Sequence, residues 1–259
     1  MAEWLEQNGG ARDENASRLA YHYIEAVRLE DADLAWAGDD DHYEALRQRA
    51  LEWLRRAAAL SISRYAVDDA LAILHEAVEL ERDTHAQVEL WKRVAEAHEL
   101  RYEGGRSREA LERALSLLED DPAEQAEISS LLAIQTAKKA GMWAHSPVTR
   151  ELVEGWIERA LGLSPPASPA RVRALVARVT RNAGSIDDAI AAAEQLGDPE
   201  LASFALGARA SDAIERMRYM RRLRTRPNDD SPCSIGSAIP IIAPAFTNTR
   251  PMRRSANRT

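Results

Sequence analysis

Apolar positions recur at helical spacing almost from the start of the chain. Leu19, Tyr23, Ile24 and Val27 fall at i, i+4, i+5 and i+8, which gathers them into one stripe on a helix. An acidic stretch then ends in Asp39-Asp40-Asp41. A longer stripe follows through Leu46, Ala50, Trp53, Leu54, Ala57, Ala58 and Leu60. One of the three Asp residues is placed to cap this helix, with acids near its positive end. The same periodicity predicts helices at about 42–64, 67–81, 84–102, 106–119, 123–140, 147–163, 168–183, 186–196 and 199–216. Between them stand Gly104-Gly105, Asp120-Asp121-Pro122, Gly141, Ser164-Pro165-Pro166, Gly184 and Gly197-Asp198-Pro199. Gly ends helices and Pro opens the next, and connections this short make neighbouring helices antiparallel.

The breaks recur at a repeat-like interval, and three segments match one another. They are Val67-Asp68-Asp69-Ala70-Leu71, Ser107-Arg108-Glu109-Ala110-Leu111 and Ile186-Asp187-Asp188-Ala189-Ile190. Each opens the second helix of a pair. An acid sits near the positive helix end, a small Ala allows close approach to the partner helix, and a bulky aliphatic follows. Ala58 lies twelve residues before Ala70, and Ala177 twelve before Ala189. Leu74 and Ala77 continue the contact face after Ala70. Pro122 stands twelve residues after Ala110, and Pro165 five after Ala160.

These spacings resemble the tetratricopeptide repeat, a helix–turn–helix with small residues at fixed contact positions and a closing Pro. The match is best over 171–197 and nearly as good over 51–82. The pair at 88–122 has a longer turn, with Ala114 and Leu117 exchanging the usual large and small positions. The pair at 124–165 is joined around Met142-Trp143 without the turn signature. The resemblance implies an all-α fold: an α-solenoid of antiparallel helix pairs wound into a right-handed superhelix, with an irregular C-terminal tail. A narrower resemblance rests on Leu19-Ala20-Tyr21-His22-Tyr23-Ile24-Glu25-Ala26, Asp33-Leu34-Ala35-Trp36-Ala37-Gly38, Trp53-Leu54-Arg55-Arg56-Ala57 and Tyr65-Ala66-Val67-Asp68-Asp69-Ala70-Leu71. It is similar to the helical region of bacterial adenylate/guanylate cyclase–AAA ATPase signalling proteins, over roughly residues 3–216. No Gly-x-x-x-x-Gly-Lys-Ser/Thr phosphate loop occurs in the chain, so neither ATPase nor cyclase activity is carried over.

Composition adds that Ala, Leu, Glu and Arg, all strong helix formers, dominate, while aromatics are only 5%. Net charge is −8 but uneven. Residues 217–259 hold nine Arg, no Lys and no Glu against two Asp, a surplus of seven positive charges. The remainder carries 25 basic against 40 acidic side chains, a balance that repels nucleic acid and anionic membrane. The tail also holds Pro227, Pro232, Pro240, Pro244 and Pro251. Basic Pro-rich sequence of this kind is expected to be disordered. A shifted reading frame would explain the abrupt change, and a functional basic tail is the alternative. The division expected is therefore 1–41 as a helical lead-in, 42–216 as repeats and 217–259 as the tail. No secretory signal or run of 18 apolar residues is present, so the expected location is cytoplasmic.

No catalytic constellation, metal set or cofactor site is expected. The six His residues lack metal-site spacing, and His22 and His98 suit packed helix positions. Asp39-Asp40-Asp41-His42 lacks the alternating ligands of a calcium loop. Gly104-Gly105 could cradle an anion at a helix start but reads better as a loose turn. Cys233 has no His nearby in sequence. Trp53, Trp91 and Trp156 read as core residues, and Arg218, Arg221, Arg222 and Arg224 as incidental basic sequence. The expected function is non-catalytic protein–protein interaction. In the tetratricopeptide family the first helices of each pair line a concave groove, and the repeat register maps Arg55, Glu89, Lys92, Glu96, Arg171, Arg178 and Arg181 to it. The partner would be a protein or peptide. The alternative is a detached sensor or regulatory arm of a multidomain ATPase or cyclase, with the catalytic part as its partner.

Overall fold

Asp39, Asp83, Asp121, Ser168 and Asp198 each set the start of a helix, and the computed structural model shows how. Their side-chain oxygens accept backbone N–H bonds from His42 (3.3 Å), Ala86 (2.8 Å), Glu124 (3.0 Å), Arg171 (3.3 Å) and Glu200 (2.8 Å). Each such cap contributes about 1 kcal/mol. The structure describes Trp4, Glu6 and residues 13–28, 39–138, 140–181 and 184–224. Among them are ten α-helices and no strand: α1 (Ala16–Val27), α2 (Asp40–Ser63), α3 (Val67–Leu80), α4 (Thr84–Leu100), α5 (Gly104–Ser116), α6 (Pro122–Lys138), α7 (Arg150–Leu163), α8 (Pro169–Thr180), α9 (Ile186–Leu196) and α10 (Pro199–Arg224). Short 3-10 turns cover Asp13–Asn15 and Ala140–Trp143. Residues 33–38, Cys233 and the Pro-rich stretch fall outside the described residues.

The five capped starts open α2, α4, α6, α8 and α10, the first members of the predicted pairs. Three second members share another feature, although Ser185 Oγ also accepts from Asp187 N at 3.2 Å at the start of the third. Tyr65 (φ 58°), Tyr102 (φ 59°) and Gly184 (φ 88°) adopt left-handed backbone, and α3, α5 and α9 each start two residues later. Reversing the chain in so few residues requires that conformation. The longer turn expected before Ser107 is instead an extra turn of helix, because α5 begins at Gly104 rather than near 106.

The reason lies in the connection after α6. A Cβ on Gly104 would stand 2.6 Å from the Met142 carbonyl oxygen, and one on Gly105 would stand 2.5 Å from Ser146 Oγ. Glycine lets residues 142–146 lie directly on the start of α5. Met142 and Trp143 are buried there, and Trp143 Nε1 donates to the Gln135 carbonyl at 3.4 Å.

The alanines that the spacing singled out lie in the core. Ala58, Ala70, Ala77, Ala110, Ala177 and Ala189 are all buried, together with Leu74 and Leu111. Trp53 and Trp156 are buried, and Trp91 packs half-buried against the same core. Arg56 lies over the Trp53 ring at 4.1 Å, a cation–π contact. Each helix from α1 to α8 packs on its successor, and α6 also packs on α8. Helix α10 runs to Arg224, so residues 217–224, expected to belong to the irregular tail, continue the last helix instead. Its Ala, Arg, Met and Leu residues favour helix, and no Pro interrupts them before Pro227. Residues up to Arg218 group as one compact unit.

Candidate functional site

Helices α2, α4, α6, α8 and α10 supply most of the side chains around two cavities. The first, of about 460 Å³, lies between α2 and α4. Ala58, Ala59, Ile62, Leu90 and Leu74 form its apolar walls, and Arg55, Ser63, Glu89, Arg93 and Glu96 its polar edge. The charges at that edge are paired. Arg55 Nη2 donates to Glu81 Oε2 at 2.6 Å, Arg93 Nη1 to Glu96 Oε2 at 2.8 Å, and Lys92 Nζ to Glu89 Oε1 at 2.7 Å. This cavity offers a neutral, largely apolar recess.

The second cavity, of about 470 Å³, is bounded by α4, α6, α8 and the start of α10. Leu131, Ile134, Pro169, Leu201 and Phe204 are its apolar lining, and Glu99, Gln135, Arg173, Asp198 and Glu200 its polar lining. Gln135 is 6% exposed, donates from Nε2 to Glu99 and accepts from Ser107 Oγ at 3.3 Å. Arg173 Nη1 donates to Glu127 Oε1 at 2.5 Å, joining α8 to α6. Lys92 joins α4 to α6, because its Nζ also donates to Glu124 Oε1 at 2.9 Å. Burial works to lower the Lys92 pKa, but Glu89 and Glu124 outweigh it and hold the ammonium above its ordinary value.

A third cavity, of about 490 Å³, lies among α3, α4 and α5 around His75, Trp91, His98, Arg101, Arg106 and Arg113. Two of its arginines face acids. Arg101 pairs with Asp68 and lies 3.2 Å from Glu103, and Arg106 lies 3.8 Å from Glu103. His98 Nδ1 lies 2.8 Å from Glu103 Oε2. Burial pushes the His98 pKa below its ordinary value despite that carboxylate.

The seven residues mapped from the repeat register separate into two groups. Arg55, Glu89 and Glu96 meet at the first cavity, and Lys92 stands beside them. Arg171 and Arg178 turn towards α7 instead: Arg171 Nη1 donates to the Leu161 carbonyl at 3.2 Å, and Arg178 Nη2 to Glu158 Oε1 at 2.6 Å. Arg181 closes the end of α8, with its Nε buried and without a hydrogen-bond partner. On α8 the arginine that lines the second cavity is Arg173. Two residues along a helix turn a side chain by roughly 200°, so Arg171 and Arg173 cannot share a face. Arg93, Gln135, Arg173 and Phe204 were not singled out by register. A buried Gln within an otherwise alternating helix carries no sequence signal of its own.

Among the described residues, no helix is long and apolar enough to cross a membrane. Compared with known proteins, the chain matches no family model, no curated protein and no solved structure.

Proposed function

We propose that the chain is a non-catalytic protein–protein interaction scaffold built from tetratricopeptide-like helix pairs. It would receive a peptide or partner helix along the surface made by α2, α4, α6, α8 and α10. The observation that carries this is the pair of cavities lined mainly by first helices, each with apolar walls and a polar edge. Three further features support stacked pairs, and hence a solenoid. All five first helices carry side-chain caps, as do the second helices α7 and α9, so each element starts at a defined residue. Three inter-helix turns place a left-handed residue two positions before the next helix. Helix α6 packs on α8, one first helix on the next. A pair that cannot bury its own apolar face gains stability from such stacking. The partner suggested by the family resemblance is the ATPase or cyclase part of a signalling protein, in a cytoplasmic setting.

The test is selection of random twelve-residue peptides on the full chain. Anisotropy titrations of the selected peptides then compare wild type with Ala59→Trp, which fills the first cavity, and Glu200→Trp, which covers the edge of the second. At least one variant should weaken each peptide about tenfold, or about 1.4 kcal/mol. Peptides indifferent to both variants, or no selected peptide at all, would refute the proposal.

A further inference from the structure

We infer that the outward face of α10 pairs with the same face of a second copy of this chain, the two helices running antiparallel. This surface is separate from the peptide-binding one proposed above, and the inference stands without it.

Leu206, Ala210, Ala213 and Met217 fall at i, i+4, i+7 and i+11, which gathers them into one narrow stripe of α10. Ile214 borders it. All five are exposed, Leu206 at 51%, Ile214 at 46% and Met217 at 66%. The stripe lies roughly 180° around the helix from Leu201, Phe204, Ala205 and Ala208, which turn to the core and the second cavity. Helix α8 shows the same register when it is covered. Val176 stands eight residues after the cap Ser168 and is fully buried, whereas Leu206, eight after the cap Asp198, is half-exposed. Ala177 is fully buried too, while its counterpart Gly207 has open space where a Cβ would stand. Helix α9 follows α8 and packs on it, but among the described residues no helix follows α10. The sequence over 225–259 does not supply one, because Pro at 227, 232, 240, 244 and 251 leaves no Pro-free run above eight residues.

A second copy fits this face in spacing and in charge. The intervals of 4, 3 and 4 residues read the same from either end. Two antiparallel copies therefore set Leu206 of each against Met217 of the other, with the small alanines at the crossing, as a two-fold interface requires. Charge selects the direction. Asp198 and Glu200 make the start of α10 acidic, with no base from 198 to 208, while residues 216–224 include five Arg and no acid. Antiparallel pairing lays the acidic end on the basic end and opposes the helix dipoles, whereas parallel pairing sets like charge on like.

The test is sedimentation velocity on the full chain over about a hundredfold range of concentration, which should show monomer passing to dimer. Leu206→Lys/Met217→Lys should raise the dissociation constant by at least about tenfold. Its monomer should melt with the wild type, since both side chains are exposed in the single chain. Orientation is read from Leu206→Cys and Met217→Cys chains, each with Cys233→Ser, treated with a short thiol cross-linker. The mixture should cross-link, and each variant alone should not. This arm decides the matter even if the lysine variant unfolds. A chain that stays monomeric throughout, a dimer indifferent to the lysine pair, or cross-linking of each cysteine variant with itself would overturn the inference.

Discussion

Arg55 Nη2 donates to Glu81 Oε2 at 2.6 Å and thereby joins the middle of α2 to the residue that ends α3. Glu81 is only 5% exposed and serves more than one partner. Its Oε1 accepts the backbone N–H groups of Arg82 at 2.9 Å and Asp83 at 3.1 Å, and lies 3.6 Å from Nη1 of buried Arg47. One carboxylate thus shapes the turn into α4 and neutralises charge against α2. Asp83, held by that turn, in turn caps α4.

Removing Glu81 should therefore cost more than removing Arg55. Glu81→Ala leaves two N–H groups and a buried guanidinium less well satisfied, a loss of about 3 kcal/mol. Arg47 keeps its bonds to Glu44 and to the Leu80 carbonyl, which limits the damage. Arg55 is 44% exposed, so Arg55→Ala should cost about 1 kcal/mol or less. Urea unfolding of both variants measures the difference. Equal losses would mean that the Arg55 pair, rather than the buried turn, is what Glu81 stabilises.

Stability should fall as the solution is acidified, in two separable steps. Hydrogen bonds from Arg47, then Gln48, lower the Glu44 pKa from 4.5 to about 2. A depressed carboxylate pKa stabilises the fold above the unfolded value and loses that contribution as pH falls from 4.5 towards 2. Glu44 is 43% exposed, so solvent screening limits the effect to about 1 kcal/mol or less. His98 acts earlier and with the same sign. Burial favours its neutral form, so its contribution erodes as pH drops below its ordinary 6.5. Unfolding free energies measured against pH should show a smaller acid loss in Glu44→Gln, confined to the lower step. The His98 ring should titrate below 6.5 by NMR.

Glycines should divide by what surrounds them. Gly104→Ala would drive a methyl against the Met142 carbonyl, a backbone atom, and should cost about 1–3 kcal/mol. Hydrogen exchange should speed up over residues 140–146. Gly155 and Gly162 lie within α7 with open space where a Cβ would stand. Changing either to Ala should stabilise by about 0.5–1 kcal/mol. Destabilisation by all three would show that the space beside Gly155 and Gly162 is not open in the folded chain.

Much of this architecture was legible in the sequence because its causes are local. The apolar stripes placed the helices, and the twelve-residue alanine spacing located residues that prove buried, such as Ala58, Ala70, Ala177 and Ala189. The cap expected among Asp39, Asp40 and Asp41 is Asp39, which accepts from the His42 N–H. What escaped depends on distant partners. Gly104 and Gly105 read as a turn because the segment that covers them comes almost forty residues later. Arg171 and Arg173 are alike in composition, and only the positions of α6 and α7 decide that one reaches Leu161 and the other Glu127. Gln135 became part of a cavity because Glu99 and Ser107, on two other helices, converge on its amide.

Tyr65 and Tyr102 occupy the position that Gly184 fills in the later turn, and their replacement tests whether the three turns are equivalent. Both hold left-handed backbone while being 79% and 68% exposed. That conformation costs a residue with a Cβ roughly 1–2 kcal/mol, and their exposed rings recover little by packing. Glycine avoids this strain but gives up about 0.5–1 kcal/mol of unfolded-state entropy. Tyr65→Gly and Tyr102→Gly should each stabilise by about 0.5–1 kcal/mol, and the double variant by about the sum, since the turns are separate. Gly184→Ala should do the reverse, because its φ is 88° and a Cβ there would stand 3.1 Å from Arg178 Cδ. Chemical denaturation of the four variants gives the signs directly. If the tyrosine changes destabilise, the rings contribute packing that outweighs backbone strain, and the equivalence of the three turns fails.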